Sequence, residues 1–256
     1  FLSKFYKLYE VKDALRMVSQ TLSGMRLGGI FDHIGFGFHR YSTDVKWLVP
    51  HFEKMLYDQA MIMEALVEAF KVSKNDLFSS TINEIFIYVD EVLTSKDGGF
   101  YSAEDADSEG EEGAFYTWNL EEIRSVLTKD ESAFFEHLFN IDSEGNFVEE
   151  VTKVKTGKNI VYLKDELQAF SSVFSINHES ILEESNRIKQ KLKKVRDNRI
   201  RPGLDDKILT DWNSLMISSL SKSSVELNRK DYLSSACDSF NFIKENMIKK
   251  DWSLYH

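Results

Sequence analysis

The chain has 256 residues, with 42 acidic against 32 basic side chains, a formal charge of −10 and a pI near 5.2. That balance speaks against nucleic acid or an anionic membrane as the main partner, since both require a basic face. An apolar content of 42% supplies a real core, and no stretch approaches the ~20 apolar residues of a membrane span.

The N-terminal "FLSKFYKLYE" lacks the apolar run of a signal peptide, so the expected compartment is the cytoplasm. There is no initiator methionine, and the chain stops at "DWSLYH" directly after a helical pattern. The expectation is a fragment of a longer chain.

A polar loop runs from about Gly35 to Pro50 and carries His39, Arg40 and Trp47. Residues 51–70 then read as a helix that is apolar over more than one face, as an inner, doubly packed helix is. Pro50 fits its start. His51, Lys54 or Met55, and Asp58 fall at i, i+3/i+4 and i+7 and share a face. Glu53 lies on another face but in the same first turn. Polar groups on a buried helix must find partners or water.

"INEIFIYVDEVL" sets Ile82, Ile85, Phe86, Val89, Val92 and Leu93 on one face of an outer helix. The loop Lys96–Trp118 follows, with six acids between Glu104 and Glu112. It has three readings. One is a calcium loop opened by Asp105, Asp107 and Glu109, although Tyr116 occupies the place of the bidentate glutamate. Another is a solvated acidic loop. In the last, Glu104 or Asp105 turns inward beside Phe100 and Tyr101.

"GAFYTW" suggests short β-hairpins, and Asn119 with Glu122 makes a capping-box-like pair for the next helix. Residues 140–162 are a polar excursion with room for two short strands. Residues 179–200 carry a thin apolar stripe (Ile181, Ile188, Leu192, Val195) and predict a surface helix.

Residues 207–220 are a second inner helix. Asp206, Thr210 and Asn213 form a polar stripe at i, i+4 and i+7, with Trp212 beside it. Asp205 and Asp206 read alternatively as helix-terminal carboxylates. In residues 231–248 the apolar face is Leu233, Cys237, Phe240, Ile243 and Met247, which makes Cys237 a buried, inert thiol. It is the one cysteine, so no intrachain disulfide is possible.

One-faced outer helices thus alternate with inner ones, the mark of helical hairpins in a ring or layered array. The fold class is all-α with short β-hairpins in the loops, and no linker divides residues 1–256. His33, His39 and His51 form no zinc signature. "GFGFHR" lacks the strand-glycine-helix setting of a dinucleotide site, and no nucleophile elbow occurs. No metal and no cofactor are expected.

Three strings, "GGIFDHIGFGFHRYSTDVKWLVPHFEKMLYDQA", "GGFYSAEDADSEGEEGAFYTW" and "RPGLDDKILTDWNSLMI", closely resemble the YyaL-type family, whose animal relatives include spermatogenesis-associated proteins. The resemblance implies a thioredoxin-like domain followed by an α/α toroid of the six-hairpin glycosidase type. This chain matches the toroid portion only, and an incomplete one. The thioredoxin-like CxxC is absent, so no redox activity is implied. Such toroids resemble N-acylglucosamine 2-epimerases, cellobiose epimerases and unsaturated glucuronyl hydrolases. Their site lies at one end of the inner ring, where the loops before His51 and Lys207 fall.

The leading expectation is therefore a carbohydrate-active toroid with a sugar-like ligand cavity. An epimerase would use His39 and His51 as acid and base. A hydrolase or lyase would use paired acids, Glu53 or Asp105 with Asp206. Arg40 would bind an anionic or carbonyl oxygen. Trp47, Tyr101 and Trp212 offer sugar-facing rings, while Asp58, Glu104, Asp105, Asp206 and Asn213 would bind or orient. The alternative is a non-catalytic module that binds a ligand or protein and works with the thioredoxin-like domain. In a structural reading the polar stripes simply satisfy one another.

Overall fold

In the computed structural model, which describes residues 1–148 and 155–255, the periodic apolar stretches fold as helices. These are α1 (Leu2–Tyr9), α2 (Lys12–Leu27), α3 (Leu56–Ser73), α4 (Asp76–Tyr88), α5 (Leu120–Val126), α6 (Lys129–Leu138), α7 (Ser171–Phe174), α8 (His178–Arg196), α9 (Thr210–Glu226) and α10 (Lys230–Asn246). The last turn of α4 widens into a π-helical turn, Val89–Leu93.

The two inner helices α3 and α9 pack along each other, with α4 and α2 against α3 and α10 against α9. Leu56, Met63 and Leu66 of α3 and Met216 and Leu220 of α9 share one buried core with Ile82 and Ile85 of α4 and Tyr232 of α10. This alternation of inner and outer helices is that of an α/α toroid. A second core joins α5, α6 and α8 through Ile123, Phe135, Leu138, Ile188 and Leu192. As its thin stripe predicts, α8 buries Ile181, Ile188 and Leu192 and leaves most of its charges outside, but Lys189 and Arg196 are buried with the stripe.

The strands are two residues each: β1 (Tyr41–Ser42), β2 (Pro50–His51), β3 (Lys54–Met55), β4 (Ala103–Glu104), β5 (Asp107–Ser108), β6 (Glu111–Glu112), β7 (Trp118–Asn119), β8 (Lys158–Asn159) and β9 (Leu204–Asp205). They tie loops together. β3, β4 and β9 form one antiparallel sheet in which Lys54 pairs with Glu104 and Glu104 with Leu204. Three distant loops are thereby fixed beside the starts of α3 and α9.

Several expectations change. Helix α3 starts at Leu56, because β2 pairs with β1 and β3 with β4 just before it. His51 and Lys54 therefore share no helical stripe with Asp58. Likewise Asp206 precedes α9, which begins at Thr210. The stretch Gly113–Tyr116 is a run of turns, and the hairpin lies upstream in the acidic β5–β6 segment. Asn119 makes no side-chain cap, and the Glu122 carboxylate, which the box would need, is held by Arg199 at 2.6 Å. The capping box forms instead at Thr128 and Glu131.

Helix α10 is rolled relative to its pattern. It buries Tyr232, Ala236, Ser239 and Ile243 and exposes Leu233, Cys237 and Phe240. The Tyr232 ring packs on Phe86 at 4.5 Å and fixes that roll. In the excursion, β8 and a Val148–Lys155 bridge form, and positions 149–154 lie outside the described residues. Among the described residues no helix is long and apolar enough to cross a membrane.

Candidate functional site

The loop before α3 is built around a buried carboxylate. Asp32 accepts from the backbone N–H of Ile34 and Gly35, both at 3.0 Å. It also accepts from Arg196 at 2.8 and 3.0 Å and from Lys54 at 2.8 Å. A side chain at position 35 would collide with Arg196. Burial alone would raise the Asp32 carboxyl, but Arg196 and Lys54 outweigh it and hold it well below the usual range. Lys54 also donates to the Phe36 carbonyl at 2.7 Å and lies against the rings of Tyr88 and Tyr116.

A second buried carboxylate, Glu104, accepts from Arg201 Nε at 2.6 Å and from the Tyr88 hydroxyl at 2.9 Å. Burial, then the Glu104 charge, lifts the Tyr88 phenol well above its ordinary value. Of the acidic-loop readings, the inward turn holds for Glu104. Asp105 is exposed and accepts from its own loop, Ala106 N–H at 2.7 Å.

Above these anchors lies a solvent-facing row. Arg40 Nη1 donates to Glu53 Oε2 at 2.9 Å and its Nε to the Tyr57 hydroxyl at 3.0 Å. The same Glu53 oxygen lies 3.3 Å from His51 Nε2, and His51 Nδ1 lies 2.7 Å from Glu112 Oε1. Tyr41 stacks on the imidazole at 5.0 Å, as the β1–β2 register dictates. Trp212, at the start of α9, meets Tyr57 edge-on at 4.8 Å.

Asp58 sits in the first turn of α3 beside this row, with one buried oxygen, Oδ2, lacking a partner. Burial is the main cause that raises its carboxyl to about 7; Glu53 adds to it and Arg40 opposes it. The Glu53 hydrogen bond raises Arg40, which stays cationic. On the Glu112 side of His51 opens a cleft of about 380 Å³, walled by Tyr41, Thr43, Phe147 and Glu111.

The row unites Arg40, His51, Glu53, Asp58 and Trp212. His39 stands apart: it is buried, and its Nδ1–H donates to the Phe52 carbonyl at 2.9 Å. Burial and the Lys54 charge push it down to about 3, so the ring is neutral. Trp47 covers Gly24 and Gly28 and packs into the main core. Tyr101 packs against the same core. Asn213 bonds both backbone groups of Phe100, at 2.8 and 2.9 Å, and so locks a loop to α9. Asp206 is exposed.

Sequence reasoning passed over Tyr57, Glu112, Asp32 and Arg196. Tyr57 was legible as the polar neighbour of Asp58 at the loop end of an inner helix. Glu112 was one acid among six, and nothing local separated it. Among the described residues no group of three or more acidic, histidine or cysteine side chains is placed to hold a metal.

No protein-family model matches the chain. It is 35% identical to rat spermatogenesis-associated protein 20 over 252 residues, covering 92% of this chain and 32% of that protein. The human protein of that name is 36% identical with the same coverage. The chain thus spans about a third of the length of these curated relatives. Among solved structures, a sugar epimerase from a ruminal bacterium aligns at TM-score 0.37 and 13% identity, over 100% of this chain and 76% of that one. Cellobiose 2-epimerase from Spirochaeta thermophila aligns at TM-score 0.37 and 14% identity, over 99% and 74%. The chain is thus homologous, along 92% of its length, to a part of spermatogenesis-associated protein 20, an animal relative of the YyaL-type family that its three strings resemble.

Proposed function

We propose that the row Arg40–Glu53–His51 with Asp58 is one wall of a ligand site for a polar, sugar-like molecule, and that it performs acid–base chemistry there. One observation carries the reading. The Asp58 carboxyl, with a buried oxygen that has no partner and raised by burial to about 7, stands beside a carboxylate shared by an arginine and a histidine. A group with a pKa close to the working pH serves as both proton donor and acceptor. Arg40 and Tyr57 present donors to a ligand carbonyl or hydroxyl, and Trp212 with Tyr57 offers an aromatic surface. This chemistry suits an isomerase or a hydrolase/lyase.

The exclusion of His39 removes the second histidine of a two-histidine epimerase, and this favours a second reading. There the toroid recognises a ligand without turning it over and works with a thioredoxin-like domain of the same longer protein. A single toroid domain over residues 1–256 and a cytoplasmic setting belong to both readings.

The test is calorimetric titration against glucose, N-acetylglucosamine, cellobiose and glucuronate, with Asp58→Asn and Glu53→Gln as controls. Any sugar that binds is then incubated in D2O and followed by NMR. Deuterium uptake at carbon or bond cleavage, lost in Asp58→Asn, supports the enzyme. Binding without either supports recognition, and binding of none of these sugars sinks the sugar site.

A further inference from the structure

A second cleft, of about 360 Å³, opens between α4 and α8 and is flanked by residues 163–168. None of the Arg40–His51 row lines it. At its inner end Arg26 donates to Glu84 Oε2 from Nε at 3.0 Å and from Nη2 at 2.8 Å. Arg26 Nη1 lies 3.3 Å from His33 Nδ1, while His33 Nε2 faces the carbonyls of Leu27 and Gly28 at 3.2 and 3.1 Å. The proton therefore sits on Nε2, and Nδ1 accepts from Arg26. Burial and the Arg26 charge keep this imidazole neutral.

Lys189 lines the same end and is 9% exposed. It makes no hydrogen bond or ion pair among the described residues. Glu84 acts on it only from beyond ion-pair reach, and its nearest ring, Phe36, is 5.7 Å away. One turn earlier Ser185 also lines the cleft, with its buried hydroxyl unpartnered. Two cations and one carboxylate leave a net positive charge in a place where an unpaired ammonium is costly. The complement of that arrangement is one more carboxylate.

The remaining walls choose what carries it. Leu77, Leu182, Leu163, Leu167 and Phe139 give an apolar lining, which calls for an apolar body. Asp76, exposed, and Glu166, half-buried, also line the cleft and disfavour a second negative charge. We propose that this cleft binds a small organic monocarboxylic acid, its carboxylate on Lys189 and Ser185 and its body against the leucine walls. The site is separate from the row above α3 and stands or falls independently of it.

The probe is 3-phenylpropionate, with 3-phenylpropan-1-ol as its uncharged match, in calorimetric titration and thermal denaturation of the whole chain. The expected result is saturable binding of the acid, at least about tenfold tighter than the alcohol. Lys189→Met abolishes it and melts no lower than the parent, because it replaces an unpaired buried ammonium with an apolar side chain of like length. Ser185→Ala weakens binding severalfold with the fold intact. Equal binding of acid and alcohol, or no saturable binding of the acid, overturns the proposal. So does acid binding retained in Lys189→Met. A Lys189→Met protein that melts well below the parent shows that Lys189 already has its partner, and overturns it too.

Discussion

Lys54 Nζ and Asp32 Oδ2 stand 2.8 Å apart with 1% and 5% of their side chains exposed, and this pair holds the whole approach to α3. Lys54 belongs to β3, the strand that joins the loop to β4 and β9. Asp32 reaches across to Arg196 at the end of α8. The two cores are thus bridged by one carboxylate between two cations. Removal of one member of a buried pair leaves its partner uncompensated, at a cost of about 3–5 kcal/mol. Lys54→Met should fall at the lower end of that range, because Arg196 remains on Asp32, while the Phe36 carbonyl is stranded as well. Urea denaturation measures it. A loss below about 1 kcal/mol would show that Arg196 alone satisfies Asp32.

The Arg40–Glu53 pair predicts the opposite profile. Arg40 is 43% exposed and Glu53 27%, so water screens the pair and its net stabilisation is about 0–1 kcal/mol. Arg40→Met should leave the denaturation midpoint almost unmoved while it removes ligand binding at the row by about tenfold or more. A variant that loses stability and binding in proportion would make Arg40 a structural residue.

Cys237 gives a direct check on the roll of α10. The thiol is exposed, so native protein should react with a water-soluble disulfide reagent at one thiol per chain, without denaturant. Reaction only after unfolding would return Cys237 to the buried face that its periodicity suggested.

That roll illustrates what the sequence carries and what it does not. The inner helices were legible because apolarity on more than one face has one common cause, burial between neighbours. α8 was legible because its stripe is thin and its charges are many. The face of α10 was not, since Tyr232 counts as polar in a pattern yet buries its whole ring on Phe86. Residues 51–55 were misread as helix for a related reason. Their conformation is set by pairing with residues 41–42 and 103–104, and long-range pairing leaves little local trace. Of the row, Arg40, His51, Glu53 and Asp58 were visible as costly side chains at the mouth of an inner helix. Glu112 depended on a hairpin that brings it 61 positions along the chain to His51.

The last prediction concerns acid. His39 is held at about 3 in the fold and titrates near 6.5 when unfolded. Its stabilising share is complete above that value and is lost as pH falls toward 3, because only the unfolded chain takes up the proton. Asp58 works the other way. Its carboxyl is near 7 in the fold and near 4 unfolded, so its share is complete below about 4 and is lost as pH rises toward 7. Between pH 4.5 and 6.5 the two oppose each other. Denaturant unfolding across that window should therefore steepen with rising pH in Asp58→Asn, by up to about one proton, and flatten by a similar amount in His39→Asn. Asparagine keeps a donor for the Phe52 carbonyl, so the second variant tests the charge and not the hydrogen bond. An unchanged slope in Asp58→Asn would place that carboxyl in the ordinary range and remove the acid–base group on which the proposed chemistry depends.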